Sequence, residues 1–244
     1  MSSSALSTQL IIALDFPAAA PALALARRLR GHVPWCKVGL ELFTSAGPTL
    51  LAELAHLDFH VFLDMKFYDI PNTVARAVSA AARAGAHLLT LHCQGGERMC
   101  RAAVAAAQEQ PTPPLLFGVT VLTSFGPGEM PGIGTTPQDF ASQLAQGAAS
   151  WGLDGVVCSG HEAAAIKSQS PSLRCLCPGI RPAGSAADDQ RRIMTPAAAV
   201  RAGADFLVVG RPITAAPDPL EAVHQITMQM ASVTPPLTTT HTNA

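Results

Sequence analysis

Short apolar runs rich in Val, Ile, Leu and Phe recur along the chain at 10–15, 33–39, 60–66, 87–92, 115–122, 153–159, 173–178 and 205–210. Between them lie alanine-rich stretches with helical spacing, notably 20–29, 73–84, 97–108, 137–149, 161–167 and 195–201. Runs that are apolar throughout predict strands buried on both faces, and their alternation with helices predicts a parallel sheet. Eight such units in 244 residues match the size of a single (β/α)8 TIM barrel, an α/β fold. A doubly wound open sheet is the alternative, because periodicity does not report closure. The expected barrel spans 9–230, with flexible ends at 1–8 and 231–244. The segment 232–244 is rich in Thr and Pro and carries no apolar period. Two connections are long: the Gly/Pro-rich 123–137 and the small-residue 181–190. Connections of that length in a compact domain are commonly functional.

Composition narrows the function classes. Sixteen Lys and Arg stand against 17 Asp and Glu, a net charge of −1. That balance offers no basic footprint for nucleic acid and no acidic tail. No apolar run reaches the 18 or so residues that a membrane helix needs, and residues 1–9 lack the basic start and apolar stretch of a secretory signal. The six cysteines, Cys36, Cys93, Cys100, Cys158, Cys175 and Cys177, sit mostly inside apolar runs, where a thiol serves as a small hydrophobe. Their spacing suits no structural zinc site. A reducing cytoplasm is the expected setting.

The densest polar cluster is Asp64, Lys66 and Asp69, followed by Ile70, Pro71, Asn72 and Thr73. Asp64 and Lys66 are two apart on an expected strand, so their side chains share a face. Near a barrel strand's C-terminal end, that face opens on the active-site mouth. The bland reading is a structural ion pair. Two charges in an otherwise apolar strand carry a desolvation cost that structure alone rarely asks for. Asp15 after the first strand, Lys37 in the second and His92 at the end of the fourth point to the same rim. Two Asp and two Lys converging on one mouth would form an ordered network. A metal on Asp15 and Asp64 is a further reading, although both lysines would compete with it.

The eighth strand ends in Gly210 and Arg211, before a short helix pattern. Glycine lets a backbone N–H approach, a helix start adds positive potential and arginine offers a planar donor fork, a combination that suits a phosphate dianion. Arg181 and Gln190 lie in the connection after the seventh strand, the usual partner in the phosphate grip of this fold. A solvated arginine beside a turn glycine is the structural alternative.

With these residues in view, the sequence resembles the orotidine 5′-phosphate decarboxylase family over nearly its whole length, apart from the two ends. The resemblance runs through Ile11 to Asp15, Cys36 to Gly39, Leu63 to Thr73, Thr90 to His92, Val119 to Ser124, Cys177 to Arg181, Asp188 to Gln190 and Val208 to Ile213. Its most specific element is the string Asp64, Lys66, Asp69, Ile70, Pro71, Asn72, Thr73. The resemblance implies decarboxylation of orotidine 5′-monophosphate to UMP without cofactor or metal. Lys66 would protonate C6 after CO2 leaves. Asp64 would sit against the substrate carboxylate, either repelling it or orienting Lys66. Lys37 and Asp69 would complete an alternating charge row. Asp69, Ile70 and Thr73 would reach the neighbouring subunit's site in a homodimer. Asp15 and Lys37 would hold ribose hydroxyls, and Thr123 the pyrimidine edge. Arg181, Gln190, Gly210 and Arg211 would hold the phosphate, with His92 in a supporting role.

Two rivals follow from the same residues. One is a Mg2+-dependent sugar-phosphate enzyme on the same barrel, whose carboxylates would hold a metal. The other is a nucleotide-phosphate sensor that keeps the grip without the chemistry.

Overall fold

In the computed structural model of the chain, the described residues are 8–126, 128–130, 133–182 and 193–233. Eight strands follow one another in chain order: β1 (Gln9–Ala13), β2 (Trp35–Gly39), β3 (His60–Phe67), β4 (Leu88–His92), β5 (Leu115–Val119), β6 (Gly155–Val157), β7 (Arg174–Cys177) and β8 (Phe206–Val209). Each pairs in parallel with the next, and β8 pairs with β1. The sheet closes, so the open doubly wound alternative fails.

Ten helices cover the outside: α1 (Ala19–Leu29), α2 (Leu40–Ala46), α3 (Thr49–His56), α4 (Pro71–Arg83), α5 (Gly96–Gln108), α6 (Pro137–Trp151), α7 (Gly160–Gln169), α8 (Pro196–Arg201), α9 (Arg211–Thr214) and α10 (Pro219–Ala231) among the described residues. Start signals in the sequence set several of them. Thr136, Thr195 and Asp218 accept backbone N–H bonds at the starts of α6, α8 and α10, each followed by a proline. Ser159 and Glu162 form a reciprocal capping box on α7.

Strand alternation divides the apolar residues into two layers. Ile11, Trp35, Phe62, Phe117, Leu176 and Phe206 pack inside the barrel. Ile12, Cys36, Val61, Leu63, Leu89 and Val209 face outward against the helices. All six cysteines are buried and free. Burial pushes the Cys36 thiol up to about 12 and that of Cys100 to about 11.

The apolar pattern overshoots at two strands. β5 stops at Val119 and β6 at Val157, because Val121, Leu122 and Cys158 line the cavity at the mouth beyond the last ladder bonds. The pattern also does not single out α2, α3 and α10. Between α2 and α3, Gly47 at φ 69° and Pro48 divide the segment into two short helices. The expected flexible ends at 1–8 and 231–244 lie outside the described residues, except Thr8 and 231–233. Among the described residues, no helix is long and apolar enough to cross a membrane.

Candidate active site

A cavity of about 650 Å³ opens at the C-terminal mouth of the barrel. Four charged side chains cross its floor in an alternating row. Lys37 Nζ donates to Asp15 Oδ1 at 2.8 Å and lies 3.9 Å from Asp64 Oδ2. Lys66 Nζ donates to the same Asp64 oxygen at 2.8 Å. The middle of the row is the least hydrated part: the side chains of Lys37 and Asp64 are 12% and 13% exposed, against 59% for Asp15. Charges this far from water persist only when paired, so each acidic group holds its basic neighbour in place and is held in return. Gly39 leaves room for this, since a Cβ there would come within 2.9 Å of Lys37 Nζ. The two aspartates and two lysines expected on one rim do converge.

Lys66 reaches the row by a different route from simple strand alternation. β3 pairs with β4 at Leu63 opposite Leu89, and next at Phe67 opposite Leu91. Asp64, Met65 and Lys66 therefore stand across from the single residue Thr90, a bulge of the kind that re-aims side chains. Lys66 sits at φ 51°, a left-handed conformation that costs a non-glycine residue about 1–3 kcal/mol. Thr90, fully buried in β4, receives the Lys66 backbone N–H on its Oγ1 at 3.0 Å and donates to Asp64 Oδ1 at 2.9 Å. Sequence reasoning gave Thr90 no role, although a lone hydroxyl amid Leu88, Leu89 and Leu91 is a readable signal.

The residues expected to grip phosphate lie on the same cavity, with Gly210 next to Asp15: a Cβ there would stand 3.5 Å from Asp15 Oδ2. Arg181, Gly210 and Arg211 all line the cavity, with Thr123 and Ser124 from the connection after β5. Arg181 is 7% exposed, and its Nη1 donates to the Ile180 carbonyl. Gln190 lies outside the described residues. The helix after Gly210 is only four residues long, so it contributes little dipole, and the anion-binding capacity rests mainly on the two arginines.

Comparisons with known proteins bear on what such a mouth is for. The family model of the orotidine 5′-phosphate decarboxylase / HUMPS family matches residues 8–226. Similar proteins include the orotidine 5′-phosphate decarboxylase of Nitratidesulfovibrio vulgaris strain DP4, 57% identical over 92% of this chain and 98% of that protein. The chain belongs to the orotidine 5′-phosphate decarboxylase / HUMPS family. The enzyme of the same name from Pseudomonas syringae pv. syringae is 49% identical over 93% of this chain and 100% of its own length. Among solved structures, orotidine 5′-phosphate decarboxylase from Lactobacillus acidophilus superposes with a TM-score of 0.82 at 31% identity, over 92% of this chain and 99% of that one.

Three residues of the family string do not join the row within one chain. Asp69, Ile70 and Thr73 are exposed and absent from the cavity lining. The Asp69 carboxylate accepts the N–H of Ile70 at 2.6 Å. Large apolar side chains are open to solvent within and just before this string: Tyr68 at 62% and Ile70 at 67% exposed. His92, half-buried at the end of β4, rests its ring 5.5 Å from that of Tyr68. Burial, and secondly the Lys66 ammonium, hold its imidazole below the ordinary range, with Asp64 opposing. His92 thus stands close enough to Lys66 and Asp64 for both charges to act on its ring.

Proposed function

We propose that this family member decarboxylates orotidine 5′-monophosphate to UMP and CO2, the last chemical step in making the pyrimidine nucleotide, in a cytoplasmic setting. The observation that carries the reading is the Lys66 ammonium, held 2.8 Å from Asp64 in a cavity that two arginines also line.

The chemistry explains why such a group is needed. When the C6–carboxylate bond breaks, the electron pair stays in an in-plane orbital at C6 that cannot delocalise into the ring carbonyls. The anion must be met by a charge already in place, and a compact ammonium on a rigid strand supplies it without reorganisation. One N–H bond of Lys66 then breaks, C6–H forms, and a neutral amine remains to be reprotonated from solvent. The 2.8 Å contact favours an orienting role for Asp64. Repulsion of the substrate carboxylate is the weaker account, being contested as a general device. Lys37 and Asp15 meet the ribose hydroxyls, Thr123 the pyrimidine edge, and Arg181, Gly210 and Arg211 the phosphate. Binding energy gathered at the phosphate, remote from C6, offsets the cost of organising the site.

The string at 69–73 completes the site from a second copy of the chain. Exposed Tyr68 and Ile70 on either side of Asp69 support a homodimer in which Asp69, Ile70 and Thr73 enter the partner's site.

The deciding experiment follows the ultraviolet absorbance change on conversion of orotidine 5′-monophosphate, with and without excess EDTA. Full activity in both arms is expected. Activity lost in EDTA would favour the metal-dependent relatives on this barrel, and no turnover in either arm would favour the sensor. Asp15 and Asp64 each already face the Lys37 ammonium, which disfavours a metal between them.

A further inference from the structure

We propose that Thr90 is a positioning residue for the decarboxylation: its hydroxyl sets the direction of the Lys66 ammonium by bridging the Asp64 carboxylate and the Lys66 backbone. The inference rests on the reaction proposed above and adds a component to it.

The argument begins with the bulge. Where three residues of β3 stand opposite one of β4, the ladder loses its regular acceptor for the Lys66 amide. An amide at that depth needs a partner, and the Thr90 hydroxyl oxygen supplies it at 3.0 Å. The same hydroxyl has one proton to give, and gives it to Asp64 Oδ1 at 2.9 Å. Both functions of the hydroxyl are therefore used, in a residue with no exposure to solvent.

The consequence for Lys66 is triangulation. Asp64 Oδ2 faces both lysine ammoniums, at 2.8 Å and 3.9 Å, while Oδ1 faces only Thr90 among the described contacts. A carboxylate bonded through one oxygen can turn about its Cβ–Cγ bond. Anchored through both, it presents a fixed edge. Thr90 also anchors the Lys66 main chain at φ 51°, a conformation that survives only where surroundings over-determine it. One hydroxyl thus fixes the base of the lysine and, through Asp64, its tip. A catalytic group displaced by about 1 Å can lose about a hundredfold in rate, so the bridge acts on the chemical step rather than on nucleotide binding.

Three variants test this with orotidine 5′-monophosphate as substrate, each accompanied by a urea denaturation midpoint. Thr90→Val keeps the shape and removes the hydroxyl, and should lower kcat about 10- to 100-fold with KM within about threefold. Thr90→Ser restores the hydroxyl and should return kcat to within about threefold of wild type. Should Thr90→Val fail to fold, Thr90→Cys, a weak donor of similar size, carries the same split. A wild-type kcat in the hydroxyl-free variant overturns the proposal, as does an equal loss in Thr90→Ser. A loss shared evenly between kcat and KM, in step with lowered stability, overturns it too, since that marks a merely structural residue. Failure of the parent reading looks different: wild-type protein itself would then leave orotidine 5′-monophosphate intact.

Discussion

The two ends of the barrel use polar side chains in opposite ways. At the N-terminal end, His87, Asp154 and Asp205 stand just before β4, β6 and β8, and each accepts a backbone N–H from the strand before its own. The donors are Val61, Leu116 and Cys175, at 3.1, 2.8 and 2.7 Å. Three of the four alternate strand boundaries there, β3/β4, β5/β6 and β7/β8, are tied by a side chain to main chain. At the C-terminal end, Asp15, Lys37, Asp64 and Lys66 bond to one another. A polar group paired with backbone serves stability. Opposite charges facing one another across a cavity, with their inner members shielded from water, form an organised field. β3 makes the contrast within one strand: His60 stacks on His87 at the bottom, Phe62 fills the interior, and Asp64 enters the row at the top. Thr90 combines both modes, with one bond to main chain and one to a charge.

The sharpest way to break this contrast is at Lys66. If the upper row is an organised field, Lys66→Ala should lower kcat by about four orders of magnitude, through loss of the acid and of the preorganised charge. UMP binding, measured by calorimetry, should change far less, because the lysine acts on the departing pair. Turnover near wild type would reduce the row to a structural network like the one below it.

The next test concerns the arginines that line the cavity. Arg211→Ala should lower kcat/KM by about a hundredfold or more, as a lost charged hydrogen bond costs roughly 1.5–3 kcal/mol and remote binding energy is lost with it. An unchanged kcat/KM would remove the phosphate assignment from this residue. A gentler experiment sharpens the subunit question. Lys66→Ala and Asp69→Ala variants, each inactive alone, should regain about a quarter of wild-type activity when mixed and allowed to exchange subunits, since half the random dimers would carry one intact site. No recovery in a sample shown by sedimentation to have exchanged would confine Asp69 to its own chain.

The same contrast explains what could be read from sequence. All eight strands announced themselves, because strands buried on both faces leave runs with no polar interruption. Asp64 and Lys66 stood out by violating that rule. Their convergence was read from strand alternation, yet it depends on a bulge and a left-handed Lys66, and no local pattern in 63–67 marks a register shift that only pairing with β4 creates. Helices α2 and α3 were hidden for a related reason: Leu40, Leu42 and Phe43 follow β2 with only Glu41 among them, so element type there is set by the closing barrel rather than by the segment. The family resemblance sends Asp69 and Ile70 to a neighbouring subunit, but nothing in the segment itself marks them as exposed. An apolar residue in a motif gives no sign of facing solvent, and only the geometry shows them pointing away from their own cavity.

The smallest expected effect lies at the bottom of the barrel and concerns stability alone. His87 is half-buried, stacks on His60 at 5.0 Å and uses its Nδ1 to accept the Val61 N–H. Burial first, and the neighbouring His60 second, hold its imidazole below the ordinary value, with a hydrogen bond to the Gly85 backbone opposing. The folded chain therefore binds a proton at His87 less readily than the unfolded chain, whose histidines titrate near about 6.5. Stability from this group is full above about pH 6.5 and is lost as the pH falls below it. The urea midpoint should thus be lower at about pH 5.5 than at about pH 7.5, with His92 adding to the fall from the other end of the barrel. His60→Phe keeps a ring against His87 and removes its charge, so it should shrink the acid-side drop while leaving kcat at about pH 7.5 unchanged. A drop of undiminished size would leave burial, rather than the His60 charge, as the source of the acid sensitivity, and a fall in kcat would mean that the two ends are coupled through β3.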